Sequence, residues 1–278
     1  MEVAYKYCDA NGVRILEDLR LKVTPPNQFN DPFEFTPNMI CSSPTRAVKQ
    51  IFTKKVVRDL FDDHQQAGYK GDFRLFRKQL REQRPEIIKS LVPKLPEAIE
   101  ERRDKQLERI SVEHGVLCLS STPSSLLMWG HYGNKHQGIV IGLDASWSVF
   151  ERRGKKGLRP VTYCKERVLC DTAWPQGSAK ELEYTERLVF SKNDEWDYEN
   201  EWRQVFTLRG LIPAPLYDGT IGYFLPLPHE VIVSVYFGYR CQPQLEKNVR
   251  SILAKPEFSH VKIQRAILHP SEFALVFS

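Results

Sequence analysis

The strongest constraint on the fold is an acidic, aromatic stretch that leads directly into an apolar run. Residues 194–203 read DEWDYENEWR, and the apolar run VFTL follows at residues 205–208. In a strand that begins at Glu199, alternation would place Glu199, Glu201 and Arg203 on one face. Because two carboxylates and a guanidinium are costly in a sealed core, this pattern predicts either a structural ion pair or the floor of a cleft.

Length and composition are those of an ordinary soluble protein. The chain has 278 residues and a net charge of +5, which suits one large domain over residues 1–278. No apolar stretch approaches the length of a membrane span, and the first residues lack the pattern of a secretory leader. We therefore expect a cytoplasmic protein with no membrane partner, and the sequence leaves its oligomeric state open.

The cysteines do not form a metal-binding pattern. All six are scattered, without a C-x-x-C pair or a histidine at ligand spacing. The sequence also lacks a glycine-rich phosphate loop and the dinucleotide fingerprint of the doubly wound fold. We expect reduced thiols that are mostly buried, and no bound metal.

A change in composition marks residues 44–113. Long charged runs there carry Ala, Leu and Ile at helical spacing, with Gly and Pro between them. This pattern predicts three or four helices that form an all-helical insertion within the domain. The insertion is rich in Lys and Arg, which indicates either solvated helix faces or a surface for a protein or nucleic-acid acceptor.

Most of the remaining chain is typical of strands separated by helices. The predicted strands cover residues 3–7, 21–24, 116–120, 139–143, 160–164, 201–208, 222–226, 231–238, 261–266 and 273–277. Helices are predicted over residues 11–19, 179–190 and 242–253. Strands interspersed with helices favour an α+β fold with mixed, largely antiparallel sheets.

A proline-rich loop over residues 25–34 carries several polar side chains. Its prolines and the Asn-Asp-Pro sequence are incompatible with regular structure. Packing of its two phenylalanines would hold the loop and leave Asn30, Asp31 and Glu34 free to act. These three residues are therefore candidates for a cleft.

An aromatic helix is predicted over residues 124–132. A Ser-Thr-Pro sequence precedes it, as is common at helix starts. Among its side chains, Trp129 and Tyr132 offer rings that stack on flat ligands, and His131 titrates near neutrality. A core position is the alternative for both Trp129 and His131.

Three motifs together identify a family. They are FNDPFE at residues 29–34, CLSS followed by LLMWGHY within residues 118–132, and SK leading to W-x-YE-x-EWR within residues 191–203. The chain resembles the bacterial family called domain of unknown function 2971 over nearly its whole length. That family name carries no activity.

A second resemblance, to ADP-ribosyltransferases, has functional content. Those enzymes bind NAD in the cleft of a split β-sheet, and the resemblance implies such a sheet here. They use an Arg or His on the first strand, a Ser-Thr-Ser or Tyr element in the middle and a late Glu. The matching positions are Tyr5, Lys6 or Tyr7, then Ser120, Ser121 and Thr122, then Glu199 and Glu201. Lys6 departs from the family pattern.

The resemblance implies transfer of ADP-ribose from NAD as substrate, by a toxin or phage-defence effector acting on a protein or nucleic acid. A carboxylate bound to the ribose 2′-OH stabilises the oxocarbenium-like state. Glu201 fits that role, Glu199 would orient or deprotonate the acceptor, and Arg203 completes the catalytic set. The predicted NAD-contacting residues are Tyr5, Lys6, Tyr7, Ser120, Ser121, Trp129, His131 and Tyr132.

Two other functions fit the same residues. In a nuclease, Asp31, Glu34, Glu199 and Glu201 would bind magnesium and the basic clusters would hold nucleic acid. The adjacent Arg203 argues against a naked metal cluster. In a non-catalytic binding or sensing module, the motifs would build an interior polar network, and Asp31 and Glu34 would fix Arg203.

Overall fold

The computed structural model describes residues 2–152, 155–175, 177–216 and 218–278. The chain divides into two compact units. The sheet unit consists of Met1–Glu34, Glu108–Glu166 and Phe190–Ser278. The helical unit consists of Phe35–Leu107 and Arg167–Val189. In the described ranges, no helix combines the length and apolar character needed to cross a membrane.

Helices and strands occupy most of these ranges. The α-helices within the described residues are α1 (Val13–Asp18), α2 (Pro44–Ile51), α3 (Lys54–Gln66), α4 (Phe73–Leu91), α5 (Leu95–Glu113), α6 (Leu126–His131), α7 (Ala179–Phe190) and α8 (Pro243–Leu253). The strands are β1 (Val3–Cys8), β2 (Arg20–Val23), β3 (Asn38–Ile40), β4 (His114–Ser120), β5 (Ile139–Asp144), β6 (Glu151–Arg152), β7 (Lys155–Lys156), β8 (Arg159–Pro160), β9 (Thr162–Cys164), β10 (Leu169–Asp171), β11 (Ser191–Asn193), β12 (Glu201–Thr207), β13 (Ile212–Pro215), β14 (Ile221–Pro226), β15 (Ile232–Phe237), β16 (Lys262–Leu268) and β17 (Leu275–Phe277).

The main sheet of the sheet unit has eight strands among the described residues, in the order β17–β16–β15–β5–β1–β4–β12–β8. Only the β15–β16 pair in it is parallel, and the other neighbours are antiparallel. A smaller sheet joins β13, β14 and β2. The predicted α+β class with a mixed, largely antiparallel sheet is confirmed.

Within the main sheet, the recorded pairing is shortest between β1 and β4. β1 pairs with β5 over six residue pairs, and β4 pairs with β12 over seven. Between β1 and β4, a single pair, Tyr5 with Ser120, is recorded. The recorded pairing between the two halves of the sheet is therefore much shorter than the pairing within each half.

Apolar side chains cover both faces of the sheet around this junction. On one face, the larger core includes Ala4, Ile141 and Phe237. On the other face, a smaller core contains Tyr7 and Trp129, with Met128, Val140, Tyr236, Ala266 and Leu275. Burial on both faces explains why β5 and β15 read as continuous apolar runs rather than alternating ones.

The helical unit has its own aromatic core. Phe61 on α3 is buried and packs edge-on against Tyr69, Phe73 and Phe76. Side-chain caps begin the two helices: Thr53 accepts from the third residue of α3, and Asp72 accepts from the third residue of α4. Helices α2–α5 occupy the segment predicted as the helical insertion, and residues 167–189 join this unit through the parallel β3–β10 pair.

The strand predicted over residues 201–208 is confirmed as Glu201–Thr207, and Glu199 lies before it rather than in it. A 3₁₀ helix spans Asp194–Glu199, and the strand starts at Glu201. Between them Asn200 adopts the left-handed conformation with φ of 46°, which asparagine tolerates better than most residues. Its backbone N–H bonds to Asp197 and its carbonyl accepts from Ser121. This turn, rather than alternation, places Glu199 beside Glu201.

We expect Asn200→Val to lower the free energy of unfolding by about 1–2 kcal/mol, because a β-branched residue is strained at positive φ. Urea denaturation measures the change. The matched variant Asn200→Gly relieves that strain, so it should unfold within about 1 kcal/mol of the wild type. Equal losses in the two variants would show that the Asn200 side chain, not the turn geometry, matters.

Candidate active site

A cavity of about 320 Å³ lies in the sheet unit beside the β1–β4 junction. It is lined by Tyr5, Lys6 and Tyr7 of β1, Cys118, Leu119 and Ser120 of β4, Met128 and Tyr132 of the α6 region, Thr24, Gln28, Phe29, Asn30 and Glu34 of the first loop, and Lys192, Glu199 and Glu201. Its volume falls within the range of small-molecule pockets. Segments that are far apart in sequence therefore meet at one opening.

The three strands of the junction align three predicted residues. Tyr5 on β1 lies opposite Ser120 on β4, and Ser120 lies opposite Glu201 on β12. Such cross-strand neighbours have Cβ atoms about 4.5–5.5 Å apart. The Ser120 hydroxyl donates to the Glu199 carbonyl at 2.7 Å. The cross-strand row and this bond bring Glu199 to the same end of the sheet.

A lysine lies at the centre of the acidic residues. Lys192 Nζ lies 2.6 Å from a carboxylate oxygen of Glu199, 3.2 Å from one of Glu34 and 3.3 Å from one of Glu201. The Trp196 ring packs 4.8 Å from the same ammonium. We call Glu34, Lys192, Glu199, Glu201 and Arg203 the charge cluster. All five are buried.

Arg203 pairs with two of the carboxylates, those of Glu201 and Glu34. Its Nε donates to Glu201 Oε1 at 2.7 Å and its Nη2 donates to Glu201 Oε2 at 2.8 Å. Nη2 also pairs with Glu34. This two-point contact fixes both the position and the plane of the Glu201 carboxylate. Arg203 is fully buried and lies behind the cavity rather than in its lining.

Glu199 is held from the other side by a tyrosine. Tyr132 Oη donates to Glu199 Oε1 at 2.7 Å, and Asn30 Nδ2 donates to Tyr132 Oη at 3.2 Å. The Glu201 backbone N–H donates to Tyr163 Oη at 2.8 Å. A chain of hydrogen bonds therefore connects the exposed Asn30 to the buried charge cluster.

The charge cluster has three acids and two bases, and the pKa values reflect that balance. Burial acts to raise the pKa of Glu201, but Arg203 and Lys192 lower it to about 2. Burial raises the pKa of Glu34 although the same two cations oppose this. Burial would lower the pKa of Lys192, but the carboxylates of Glu201, Glu34 and Glu199 raise it. Glu201 is thus an anion at neutral pH beside a permanent ammonium.

Most predicted site residues meet at the cavity. Tyr5, Lys6, Tyr7, Asn30, Glu34, Ser120, Tyr132, Glu199 and Glu201 line it. Asp31 is buried next to the loop, where its Oδ1 accepts from the Phe33 N–H at 2.8 Å. Its Oδ2 has no hydrogen-bond partner among the described residues. Ser121 is exposed outside the lining, and its N–H bonds to the Asn200 carbonyl.

Three residues predicted to contact NAD lie outside the cavity lining: Ser121, described above, Trp129 and His131. Trp129 has no exposed surface, packs against Tyr7 with ring centroids 5.5 Å apart, and donates from Nε1 to the Pro123 carbonyl. A ring in this position cannot stack on a ligand without rearrangement of the core. His131 is exposed, and its ring lies 6.0 Å from that of Tyr198. Side chains at neighbouring positions on a helix point in different directions. This explains why Tyr132 reaches the cavity whereas Trp129 and His131 do not.

Lys192 is the site residue that sequence reasoning missed. It belongs to the Ser-Lys pair of the third motif, which was recognised as a family feature without a role. Burial of lysine is rare unless the ammonium is paired, so a lysine between a helix and an acidic stretch was a weak signal. Its partner Glu34 is far away in the sequence, so local spacing could not reveal this ion pair.

The low pKa of Glu201 predicts a pH-dependent contribution to stability. Relative to its ordinary value of 4.5, a pKa of about 2 corresponds to about 3 kcal/mol, present above pH 4.5 and lost as pH falls towards 2. We expect Glu201→Gln to destabilise the protein at about pH 6. At about pH 3 the difference in unfolding free energy from the wild type should be about 2 kcal/mol smaller.

Chemical denaturation at the two pH values measures this difference. Glu195→Gln is the matched control, because it removes an exposed carboxylate of the same segment and should change stability by less than about 0.5 kcal/mol. A Glu201→Gln effect of equal size at both pH values would contradict the proposed pairing of Glu201 with Arg203.

The comparisons with known proteins give one match. A family model described as protein of unknown function (DUF2971) matches residues 128–204. This span contains Tyr132, Lys192, Glu199, Glu201 and Arg203, and over these residues the match supports the family predicted from the motifs. Neither the curated proteins nor the solved structures contain a match to the chain.

Proposed function

We propose that the chain, which matches the DUF2971 model over residues 128–204, binds NAD and transfers its ADP-ribose group. The observation that carries this proposal is the cross-strand row of Tyr5, Ser120 and Glu201 beside one cavity. Each of these residues comes from a different motif of the ADP-ribosyltransferase resemblance. The short pairing between β1 and β4 beside the cavity is compatible with this proposal.

In the proposed reaction, Glu201 stabilises developing positive charge. The bond between nicotinamide and ribose breaks, nicotinamide leaves with the electron pair, and the ribose becomes oxocarbenium-like. Glu201 is ionised and held in one orientation by Arg203. A preorganised carboxylate next to the ribose contributes more to the transition state than to the bound substrate.

Glu199 serves the acceptor in this proposal. An ionised carboxylate has about four acceptor positions, and Glu199 uses its two oxygens for Tyr132 and Lys192. The remaining capacity suits a hydroxyl or amine that attacks the ribose, whose proton Glu199 takes. Burial and the Glu199 charge raise the pKa of Tyr132, so the phenol stays protonated as a donor.

The first strand supplies the rest of the proposed NAD pocket. The Tyr5 ring lines the cavity and offers a face for nicotinamide. Lys6, which replaces the Arg or His of the resemblance, donates to the Cys118 carbonyl at 3.1 Å. Its ammonium supplies positive charge for the NAD diphosphate. The proposed acceptor is a protein or a nucleic acid.

One other function has a specific observation in its favour. The members of the charge cluster are paired with one another in a buried setting, which a non-catalytic ligand-binding module would also require. A magnesium-dependent nuclease fits less well, because Lys192 Nζ lies among the three carboxylates that would bind the metal. Like charges at that position would repel a divalent cation.

We expect the wild-type protein to release nicotinamide from NAD, and Glu201→Gln to reduce turnover by about a hundred- to a thousandfold. The physical reason is that the amide retains the shape of the side chain but not its negative charge. Chromatography of nicotinamide measures turnover, and titration calorimetry measures NAD affinity. Circular dichroism verifies that the variant is folded at the assay temperature.

The kinetic pattern separates the two functions. Transferase chemistry predicts that Glu201→Gln retains NAD affinity within about tenfold while turnover falls, and that Glu195→Gln behaves as wild type. A binding module predicts a bound ligand, no nicotinamide release by the wild type, and loss of affinity in Glu201→Gln. The absence of nicotinamide release with protein and nucleic-acid acceptors supplied would refute the transferase proposal.

A further inference from the structure

The helical unit contains a second cavity, of about 550 Å³, that is lined by cations and aromatic rings. Five basic side chains line it: Lys54 and Arg58 of α3, and Arg77, Arg81 and Arg84 of α4. Phe52 and Phe73 also line it, and the described lining includes no carboxylate. Lys54, Arg58, Arg77 and Arg81 are exposed, so their charges are accessible to a ligand at this concave surface.

Helical spacing brings the basic side chains into two rows. Lys54 and Arg58 are four residues apart on α3, so they share one face. On α4, Arg77, Arg81 and Arg84 follow at intervals of four and three residues, which also places them on one face. Over this interval a helix rises about 10 Å. The cavity therefore carries positive charge along a track rather than at a point.

Guanidinium groups cover the aromatic rings of this cavity. Arg84 lies 4.7 Å from the centroid of Phe52, and Arg58 lies 4.9 Å from that of Phe73. These contacts hold the guanidinium planes over the rings, and both kinds of plane stack on nucleobases. Arg84 Nε is buried without a hydrogen-bond partner among the described residues. A donor of this kind is satisfied when an acceptor binds.

We propose that this cavity binds single-stranded nucleic acid, with phosphates along the two basic rows and bases against the arginine–phenylalanine stacks. Basic grooves with aromatic platforms bind single strands, whose bases are free to stack. A duplex hides its bases and offers only phosphates to such a site. This inference goes beyond the proposed NAD chemistry and does not depend on it.

The test measures binding of fluorescein-labelled oligonucleotides to the full-length protein by fluorescence anisotropy, in the absence of NAD. Single-stranded RNA, single-stranded DNA and a duplex of the same sequence are compared over a range of salt concentrations. Single strands of at least one sugar type should bind at least about tenfold more tightly than the duplex. Preference for RNA or for DNA identifies the sugar and supports the proposal in either case.

Two matched double variants test the basic rows. Arg77→Ala with Arg81→Ala removes two cations from the cavity, and Arg74→Ala with Lys78→Ala removes two exposed cations of α4 that are outside the lining. Both change the net charge equally, and alanine favours the helix. The cavity variant should bind at least about tenfold more weakly and lower the salt slope by about 1.4, at about 0.7 for each phosphate contact. The control should lose less than about threefold.

A third variant tests stacking. Phe52→Leu removes a ring without changing charge, so it should weaken single-strand binding by about tenfold and leave the salt slope unchanged. Thermal unfolding verifies that each variant is folded. Equal losses in the two double variants, duplex binding as tight as single-strand binding, or full affinity in Phe52→Leu would each overturn the proposal.

Discussion

The structure of the sheet unit depends on compensation of buried charge. Three carboxylates, an ammonium and a guanidinium lie together with almost no access to water, and removal of any one changes the charge balance of the buried group. Their contacts join the first loop, β11, the 3₁₀ helix before β12 and β12 itself. Electrostatic pairing thereby links the first loop to the continuous segment from β11 to β12. The same pairing gives the cavity a rigid acidic wall.

Regular elements were predictable because hydrophobic patterns are local. The strand around Tyr5, the strand that ends at Ser120 and the helices between Pro44 and Glu113 all have the predicted type. The short strands β3 and β10 were missed, since three residues carry too little pattern to separate a strand from a loop. The short pairing of β1 with β4 is a property of two strands that are distant in sequence, so local patterns could not predict it.

The site itself was predictable in part. Glu201 and Tyr132 were identified from their motifs and lie at the cavity, whereas Lys192 was overlooked because its partners are distant in sequence. Glu199 reaches the expected neighbourhood through a left-handed turn at Asn200, not through strand alternation. Trp129 was predicted at the cavity but is buried in the core. The same short segment carries Tyr132, which lines the cavity, and residue spacing alone does not say which of the two rings is buried.

The single-pair junction between β1 and β4 relies on side-chain hydrogen bonds in addition to the backbone pair. Side chains bridge strand and loop carbonyls across the junction: Lys6 Nζ donates to the Cys118 carbonyl, and Tyr7 Oη donates to the Thr122 carbonyl. A backbone ladder opens only when several bonds break together, whereas a side-chain bridge is released by one rotamer change. The two halves of the sheet are therefore joined here by one backbone pair and by side-chain hydrogen bonds, each of which can break without loss of the longer ladders on either side.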